Sequence, residues 1–423
     1  MKNLKIRLVV FSFLEFAVWG SYLTSIGNYL ASVGLGKQIF WFFTIQGIVS
    51  LFMPILVSHI ADKLGKGKTV LGVCHLLAAF FKTGAFVYCL AAPKVCFWPL
   101  FVLFGISVAF YIPTIGLGNA LTFRLLLQSG HDTVKSFPPI RVFGTVGFIV
   151  AMLIVNFVSI DGLRLQASPW QLALSALFSL LTALSLSFLP KAKKQNVSHT
   201  AKTEKFGAIL KAPGIIKFLI FSFLIGVCLQ ITNSYGNVFI SSFNSLKEFA
   251  GTWGSENANA IIAVSQVSET LCILLIPFAM RWFGIKKVII ISAIAWALRF
   301  ALLGIGDTGS GLVYIILSMI IYGVAFDFLN IAGTIYLDSR VGQGSKNRIQ
   351  GLFMFVTSGL GATIGTPLAG SVVNHFVYNA PGGGSLEGWQ VSWLIFAGYS
   401  LLIALAIWIS GRFPSYNSDK LAG

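Results

Sequence analysis

The sequence predicts an all-α integral membrane protein with twelve transmembrane helices in two halves of six. Three features of the composition predict it: apolar residues make up 56% of the 423 residues, charged residues only 10%, and Phe alone occurs 38 times. Soluble proteins carry roughly 25% charged residues, and their cores cannot hide this much apolar surface. Most of the surface is therefore predicted to face lipid.

Each of the twelve predicted spans is an apolar stretch of about 18 residues or more, which is long enough to cross a hydrocarbon layer ~30 Å thick. The stretches are 8–30, 39–61, 69–91, 97–118, 138–158, 170–190, 214–241, 257–280, 286–306, 311–337, 348–374 and 390–411. An even number of spans places both termini on the same side of the membrane. Cleavage of the first stretch as a signal peptide is not expected, because it is long and contains Glu15.

The formal net charge of +17 is explained by this topology. With these spans, 23 of the 30 Lys and Arg residues fall on the side that holds the termini, and four fall on the opposite side. Cytoplasmic loops are enriched in Lys and Arg. We therefore expect a multi-pass protein of the inner (cytoplasmic) membrane with both termini in the cytoplasm. The basic charge requires no nucleic-acid partner, and the lipid bilayer is the expected surrounding.

The longest polar stretch, Lys191 to Pro213, divides the chain into its two halves. It is basic and poor in large apolar residues. The predicted domains are a six-helix bundle over 1–190, a basic cytoplasmic linker over 191–212 and a second six-helix bundle over 213–423.

The two halves repeat short sequences. Phe-Ser-Phe-Leu occurs at 11–14 and again at 221–224, and a Ser-x-Gly-Asn pattern occurs at 25–28 and 234–237. A parallel repeat of two six-helix halves is the architecture of secondary transporters that bind their substrate near the midplane.

Polar residues inside the spans are the candidates for function, since an ionisable side chain at the bilayer centre costs ~2.5–3.5 kcal/mol on insertion scales. Residues three, four or seven apart share one helical face. Four spans carry such a face, comprising Arg141, Thr145 and Phe148; Gln230 and Asn233; Gln266 and Glu269; and Tyr322, Phe326, Asp327 and Asn330.

The chemistry of these faces suits a polar solute that carries a ring. Amides offer donors and acceptors to the edge of a nucleobase or to sugar hydroxyls, and aromatic rings offer a flat wall for stacking. The residues alone predict a solute such as a nucleoside or a sugar. The alternative is a structural network between helices, in which each amide contact contributes ~0.6–2 kcal/mol.

An enzyme or a sensor is not predicted. The sequence contains no HExxH motif, no Gly-rich phosphate loop and no soluble catalytic or signalling domain. We expect no metal and no cofactor, and nothing in the sequence demands more than a monomer.

The turn after the second span, DKLGKGK at 62–68, resembles the signature of the major facilitator superfamily. The leading Gly of that signature is Ser58 here, and one of its basic positions is Gly67. The resemblance implies a gating motif, in which the Asp holds the cytoplasmic side closed through contacts with neighbouring helix ends. The residues that match are Asp62, Lys63, Gly65 and Lys68.

Four further motifs resemble the bacterial nucleoside:proton symporters within this superfamily. They are FPPIRVFGTVGF at 137–148, LQITN at 229–233, SQVSE at 265–269 and YGVAFDF at 322–328. The resemblance implies two six-helix bundles and nucleoside:H⁺ symport by alternating access. The alternative function is a uniporter or symporter of the same superfamily for another small polar solute, such as a nucleobase or a sugar. The implied nucleoside contacts are Arg141, Thr145, Phe148, Gln230, Asn233, Gln266, Glu269, Tyr322 and Phe326.

Proton coupling is implied for Asp327, with Glu269 and Glu15 as further candidates. Glu15 stands where this family is expected to have Gln. Two interpretations stay open for it: a second protonation site, or a carboxylate that is paired with a cation and silent. Lys82 and Arg299 are expected to be structural residues that extend toward the lipid headgroups, and His75 is expected to be a satisfied interior histidine.

Overall fold

The computed structural model describes residues 4–190, 206–211, 213–342, 345–380 and 386–410. The chain divides into an N-terminal unit, Met1–Asn196, and a C-terminal unit, Val197–Gly423. Of the predicted linker 191–212, the described residues are 206–211, and the rest lies outside the described part of the chain.

The described residues of the N-terminal unit form seven α-helices and a short hairpin. The helices are α1 (Leu4–Gly20), α2 (Ile26–Ser32), α3 (Ile39–Leu64), α4 (Gly67–Ala91), α5 (Phe97–Gln128), α6 (Thr133–Phe157) and α7 (Trp170–Ser187). The hairpin pairs β1 (Ser159–Ile160) antiparallel to β2 (Leu163–Arg164). Helix α1 packs on α6 and α7, while α4 packs on α5 and α7.

The C-terminal unit contains nine helices among its described residues. They are α8 (Phe206–Lys211), α9 (Ile215–Ser242), α10 (Trp253–Glu256), α11 (Ala258–Cys272), α12 (Ile276–Ile305), α13 (Leu312–Asp338), α14 (Lys346–Met354), α15 (Gly361–Val373) and α16 (Leu386–Ile409). A π-helical stretch, Phe355–Leu360, joins α14 to α15. Helix α13 packs on both α11 and α12, and α9 packs on α15.

Eleven helices of the described chain are long and apolar enough to cross a membrane. The remaining predicted span, the first one, corresponds to α1, which has 17 residues. Helical hydrogen bonds continue beyond its end, from the Leu23 amide to the Trp19 carbonyl at 2.9 Å and from the Ile26 amide to the Tyr22 carbonyl at 2.8 Å. Helix α2 follows directly, so α1 and α2 together form the first span.

Large apolar side chains cover the outside of these helices. Ile55 is 71% exposed and Phe80 is 70% exposed. Apolar surface on this scale is unfavourable in water and favourable against lipid. The exposure pattern therefore agrees with the predicted membrane protein.

One predicted span boundary is wrong. Helix α5 continues to Gln128, ten residues past the predicted end at 118, because Leu125 and Leu126 in its last turns are buried against protein. The predicted boundary between the eighth and ninth spans agrees with the structure. The backbone stays helical from α11 through Ile273–Leu275 into α12. It turns at Gly284, between the predicted ends at 280 and 286, with a φ of 67° that is accessible chiefly to glycine.

Glycines bring α1 and α6 unusually close together. A Cβ atom added to Gly147 would lie 2.1 Å from the Phe13 carbonyl oxygen, and one added to Gly20 would lie 2.3 Å from the Phe148 carbonyl oxygen. Small residues allow such close contacts between membrane helices. Gly147, within the 137–148 motif, therefore determines how closely α6 packs on α1. It thereby also determines where Arg141, Thr145 and Phe148 lie.

The two buried cations do not reach the headgroups, so that expectation was wrong. Lys82 is 0% exposed and Arg299 is 1% exposed. The Lys82 ammonium lies 3.6 Å from the centre of the Tyr22 ring and donates to Ser175 Oγ at 2.6 Å. The Arg299 guanidinium donates to the Ser318 carbonyl oxygen at 2.6 Å. Aromatic faces and oxygen acceptors inside each unit thus replace the headgroups as partners.

Candidate functional site

The predicted face of α6 lies beside α1 in the N-terminal unit. The Arg141 guanidinium stacks over the Phe16 ring, with 3.8 Å from Cζ to the ring centre. Phe148 packs edge-to-face against Trp19, with ring centres 6.4 Å apart. Arg141 and Thr145 are half-buried, and Phe148 is buried. The three residues fall at helical spacing, and the close contact between α1 and α6 holds them in place.

A small pocket opens between α1, α5 and α6. Its lining includes the side chains of Ser12, Glu15, Asn119 and Arg141. Among the described residues that line it, Glu15 and Arg141 are the charged ones. The pocket therefore brings a carboxyl group and a guanidinium together within one unit.

Glu15 is part of a fully buried hydrogen-bond network. Its Oε2 lies 2.8 Å from His75 Nε2 on α4, and its Oε1 lies 2.6 Å from the Thr114 hydroxyl on α5. The Tyr111 hydroxyl donates to the Glu15 backbone carbonyl at 2.8 Å. Glu15 is 2% exposed and His75 is 0% exposed. The sequence left two interpretations open for Glu15, a second protonation site or a silent carboxylate paired with a cation. The structure supplies a partner for the carboxyl group. This partner is an imidazole, a group that can itself gain or lose a proton.

The predicted aromatic face lies on α13 in the C-terminal unit. The Tyr322 and Phe326 rings are parallel, with centres 5.5 Å apart and planes 7° apart. Trp296 meets Tyr322 edge-on at 5.9 Å, and the Arg299 guanidinium lies 4.9 Å from the centre of the Tyr322 ring. The buried cation of α12 therefore supports one end of the aromatic stack.

Helix α11 brings its two predicted polar residues to the same place. The Gln266 side chain lies near Tyr322, and the Glu269 carboxyl group interacts electrostatically with both Tyr322 and Asp327. The close packing depends on Gly323, because an added Cβ there would lie 2.5 Å from the backbone oxygen of the facing helix. Gln266, Glu269, Tyr322 and Asp327 thus form one cluster, which we call the α11–α13 cluster.

Asp327 is the most enclosed member of the α11–α13 cluster. It is 2% exposed, and within the described part of the chain its Oδ2 atom has no hydrogen-bond partner. A buried carboxylate without a donor is costly, and a bound proton removes the charge. The geometry therefore suits a carboxyl group that exchanges a proton.

The third predicted face of this unit lies on α9. Gln230 is buried and Asn233 is half-buried. One turn beyond Asn233, the Asn237 amide donates to Asn259 Oδ1 at 2.7 Å and so ties α9 to α11. The hydroxyl of Thr232, between the two candidates, is buried without a hydrogen-bond partner among the described residues. Asn233 and Asn237, four residues apart, therefore share a face of α9 that lies toward α11.

The predicted gating turn connects three helix ends of the N-terminal unit. Gly65 ends α3 with a φ of 63°, and its amide donates to the Asp62 carbonyl oxygen at 3.1 Å. Asp62 Oδ1 lies 3.9 Å from a guanidinium nitrogen of Arg124 on α5. The Lys68 ammonium donates to the Leu189 carbonyl oxygen beyond α7, and Lys63 is exposed.

Replacing Asp62 by Asn is expected to change the free energy of unfolding by less than about 1 kcal/mol, because exposed ion pairs contribute little. Unfolding in mild detergent measures this change, with Lys63→Gln in the same turn as the control. A loss of more than about 2 kcal/mol would show that the Asp62–Arg124 pair is a structural support, contrary to its exposure.

Comparison with known proteins agrees with this geometry. A family model described as nucleoside H⁺ symporter matches residues 1–415. The nucleoside permease NupG of Escherichia coli (strain K12) is 40% identical over 414 residues, which cover 96% of this chain and 95% of that protein. The chain belongs to the nucleoside H⁺ symporter family.

Other relatives extend the comparison. The xanthosine permease of Escherichia coli (strain K12) is 36% identical over 429 residues, which cover 99% of this chain and 97% of that protein. The crystal structure of the nucleoside transporter NupG superposes with a TM-score of 0.83 at 37% identity, covering 97% of this chain and 100% of that chain. The fold is that of the major facilitator superfamily, as predicted. The protein is a multi-pass inner membrane transporter and not an enzyme.

Two features of the site were missed from the sequence. The first is the direct contact of His75 with Glu15. The second is the position of Arg299 against the Tyr322 ring. Both involve residues on separate helices, and no short-range sequence pattern connects them.

Proposed function

We propose that this member of the nucleoside H⁺ symporter family carries nucleosides across the inner membrane together with protons, by alternating access. The observation that carries the proposal is the α11–α13 cluster together with the Phe326 ring that stacks on Tyr322. An aromatic stack, an amide and two carboxyl groups thus lie side by side. A nucleoside presents complementary groups, namely an aromatic base, polar base edges and ribose hydroxyls.

The assignment of roles follows the chemistry of each group. In the C-terminal unit, the base stacks on Phe326 at the open end of the aromatic pair. Gln230, Asn233 and Gln266 bond the base edge or the ribose hydroxyls. In the N-terminal unit, Arg141, Thr145 and Phe148 are the nucleoside contacts.

Asp327 is the proposed proton carrier of the C-terminal unit, with Glu269 beside it. Protonation removes a buried charge from the α11–α13 cluster, so the loaded transporter can close over its substrate. Opening toward the cytoplasm then releases nucleoside and proton together. The proton is the coupling ion, and no metal or organic cofactor takes part.

The topology and assembly are also proposals. Both termini are proposed to lie in the cytoplasm, which the distribution of Lys and Arg supports. A reporter enzyme that is active only in the cytoplasm, fused after Gly423, tests this directly. We propose a monomer as the transporting unit.

Competition for uptake tests the substrate class. Uptake of labelled uridine is expected to be blocked by unlabelled nucleosides and unaffected by equal concentrations of nucleobases or sugars. Inhibition by a nucleobase or a sugar, with no effect of nucleosides, would replace the nucleoside assignment with another small polar solute.

Replacing Phe326 by Ala is expected to weaken nucleoside binding about 2- to 12-fold, since an aromatic pair contributes ~0.5–1.5 kcal/mol beyond its buried area. Equilibrium binding of uridine to the purified protein measures the change. Phe278→Ala is the matched control, because Phe278 lies in the same unit and is 57% exposed on the outside. Equal affinity of Phe326→Ala and the wild type would remove Phe326 from the proposed site.

A further inference from the structure

We propose that Glu15 and His75 hold a second transport proton in the N-terminal unit, separate from the proton on Asp327, and release it only when the two side chains separate. This inference rests on the proposed function, because it concerns the protons that accompany the nucleoside. It is carried by hydrogen-bond geometry in the N-terminal unit and is independent of the α11–α13 cluster.

The hydrogen bonds determine where the protons of His75 lie. The Ser179 hydroxyl donates its one proton to the His75 backbone carbonyl at 3.0 Å. In this arrangement the same hydroxyl, 3.1 Å from His75 Nδ1, accepts a hydrogen bond from Nδ1–H. The other ring nitrogen, Nε2, is therefore the one that can exchange a proton, and it faces Glu15.

One proton occupies the 2.8 Å contact between His75 Nε2 and Glu15 Oε2. It resides on the ring, giving an imidazolium and a carboxylate, or on the carboxyl group, giving two neutral partners. Both arrangements hold the same number of protons and have no net charge. The one proton of the Thr114 hydroxyl has two acceptors within reach, Glu15 Oε1 at 2.6 Å and the Tyr111 carbonyl oxygen at 2.5 Å. Loss of this proton leaves two lone pairs facing each other and one uncompensated buried charge. The pair therefore keeps its proton while closed and must open to release it.

The pocket connects this pair to the proposed nucleoside contacts. Glu15 and Arg141 line the same cavity. Loss of the pair's proton would leave one net negative charge on the lining that Glu15 shares with Arg141, whereas the closed pair has no net charge. The protonation state of the pair thus sets the net charge beside Arg141.

Other titratable groups face the pair from the helices packed around it. Cys74 on α4 and Tyr111 on α5 both interact electrostatically with Glu15. Arg141 on α6 interacts with Tyr111. Lys82, two turns along α4 from His75, lies 5.3 Å from the centre of the Tyr111 ring. Helix α7 contributes the Ser179 hydroxyl. Among these titratable groups, Glu15 and His75 are the two whose side chains are in direct contact.

A purely structural role would not require an acid at position 15. Gln has the same shape, and its amide could donate to His75 Nε2 while its oxygen accepts from Thr114. It would do so without burying a charge, which is costly in a membrane protein. The property that Glu15 adds is the capacity to bind a proton.

The test counts the protons that accompany nucleoside binding. Calorimetry of uridine binding in buffers of different ionisation enthalpy gives this number. The pH dependence of Kd gives it independently, because each linked proton changes Kd by up to about tenfold per pH unit. We expect Glu15→Gln and His75→Gln to lower the proton count of the wild type and to flatten the pH dependence of Kd. His59→Gln, an exposed histidine of the same unit, should match the wild type. Unchanged counts in both pair variants would overturn the inference.

A second measurement separates this inference from the proposed function. In ¹⁵N-histidine spectra of the full-length protein, the His75 signals are identified by their loss in His75→Gln. We expect a protonated Nδ1 and an Nε2 that shares a proton with Glu15 while the pair is closed, so that the Nε2 signal differs in Glu15→Gln. An unprotonated Nδ1, or an Nε2 signal that is the same in Glu15→Gln and in the wild type, would overturn the inference even if nucleosides are transported. If uridine does not bind to the wild type, the proposed function fails, and the spectra alone decide the state of the pair.

Discussion

Replacing Asp327 by Asn is expected to abolish accumulation of nucleoside against its gradient while binding and exchange persist. Asp327 is buried, and one of its carboxyl oxygens has no donor among the described residues. Asn preserves the shape of the side chain but cannot exchange a proton. The variant therefore mimics a permanently uncharged site, which can bind and release nucleoside but cannot couple it to the proton gradient.

Uptake into proteoliposomes measures this effect, with and without an inward proton gradient, together with exchange of internal for external labelled uridine. Asp338→Asn is the control, because Asp338 lies on the same helix and accepts a hydrogen bond from Gln350 at 2.7 Å. Uphill accumulation by Asp327→Asn at the wild-type level would exclude Asp327 as a required proton carrier.

Replacing Gly147 by Ala is expected to destabilise the protein by about 1–3 kcal/mol and to weaken transport strongly. The added Cβ would lie 2.1 Å from the Phe13 carbonyl oxygen, so α6 must move away from α1. Such a shift displaces Arg141 and Phe148, which lie on either side of Gly147 on the same helix. Both stability and nucleoside affinity are therefore expected to fall.

The free energy of unfolding in detergent and the Kd for uridine measure these two effects. Gly116→Ala is the matched control, since it also adds a methyl group inside a helix of the N-terminal unit but meets no atom within 4 Å. That variant should be as stable as the wild type or slightly more so, because Ala favours helix over Gly. Wild-type stability of Gly147→Ala would contradict the close packing of α1 on α6.

The membrane spans and the polar faces could be predicted because lipid imposes strict rules on sequence. A spanning helix must be apolar over its length, so exceptions such as Gln266 and Asp327 are conspicuous. Helical periodicity then groups such residues without any knowledge of the fold. The structure places Gln266, Glu269, Tyr322 and Asp327 together, as these faces suggest.

Contacts between helices could not be predicted in the same way. Glu15 and His75 are 60 residues apart on different helices, and only their packing brings Nε2 to Oε2. The burial of Lys82 is a similar case, because the depth and rotation of a helix depend on its neighbours and not on its own hydropathy. The end of α5 was misplaced because protein contacts, and not lipid, bury its last turns.

The central claim is that nucleoside moves together with protons, and proteoliposome uptake tests it most directly. Labelled uridine and adenosine are supplied outside, with and without an inward proton gradient. We predict accumulation above the external concentration with the gradient, and its loss when a protonophore is added. Uptake that only equilibrates and is indifferent to the gradient would contradict proton coupling, and no nucleoside uptake by folded protein would contradict the substrate assignment.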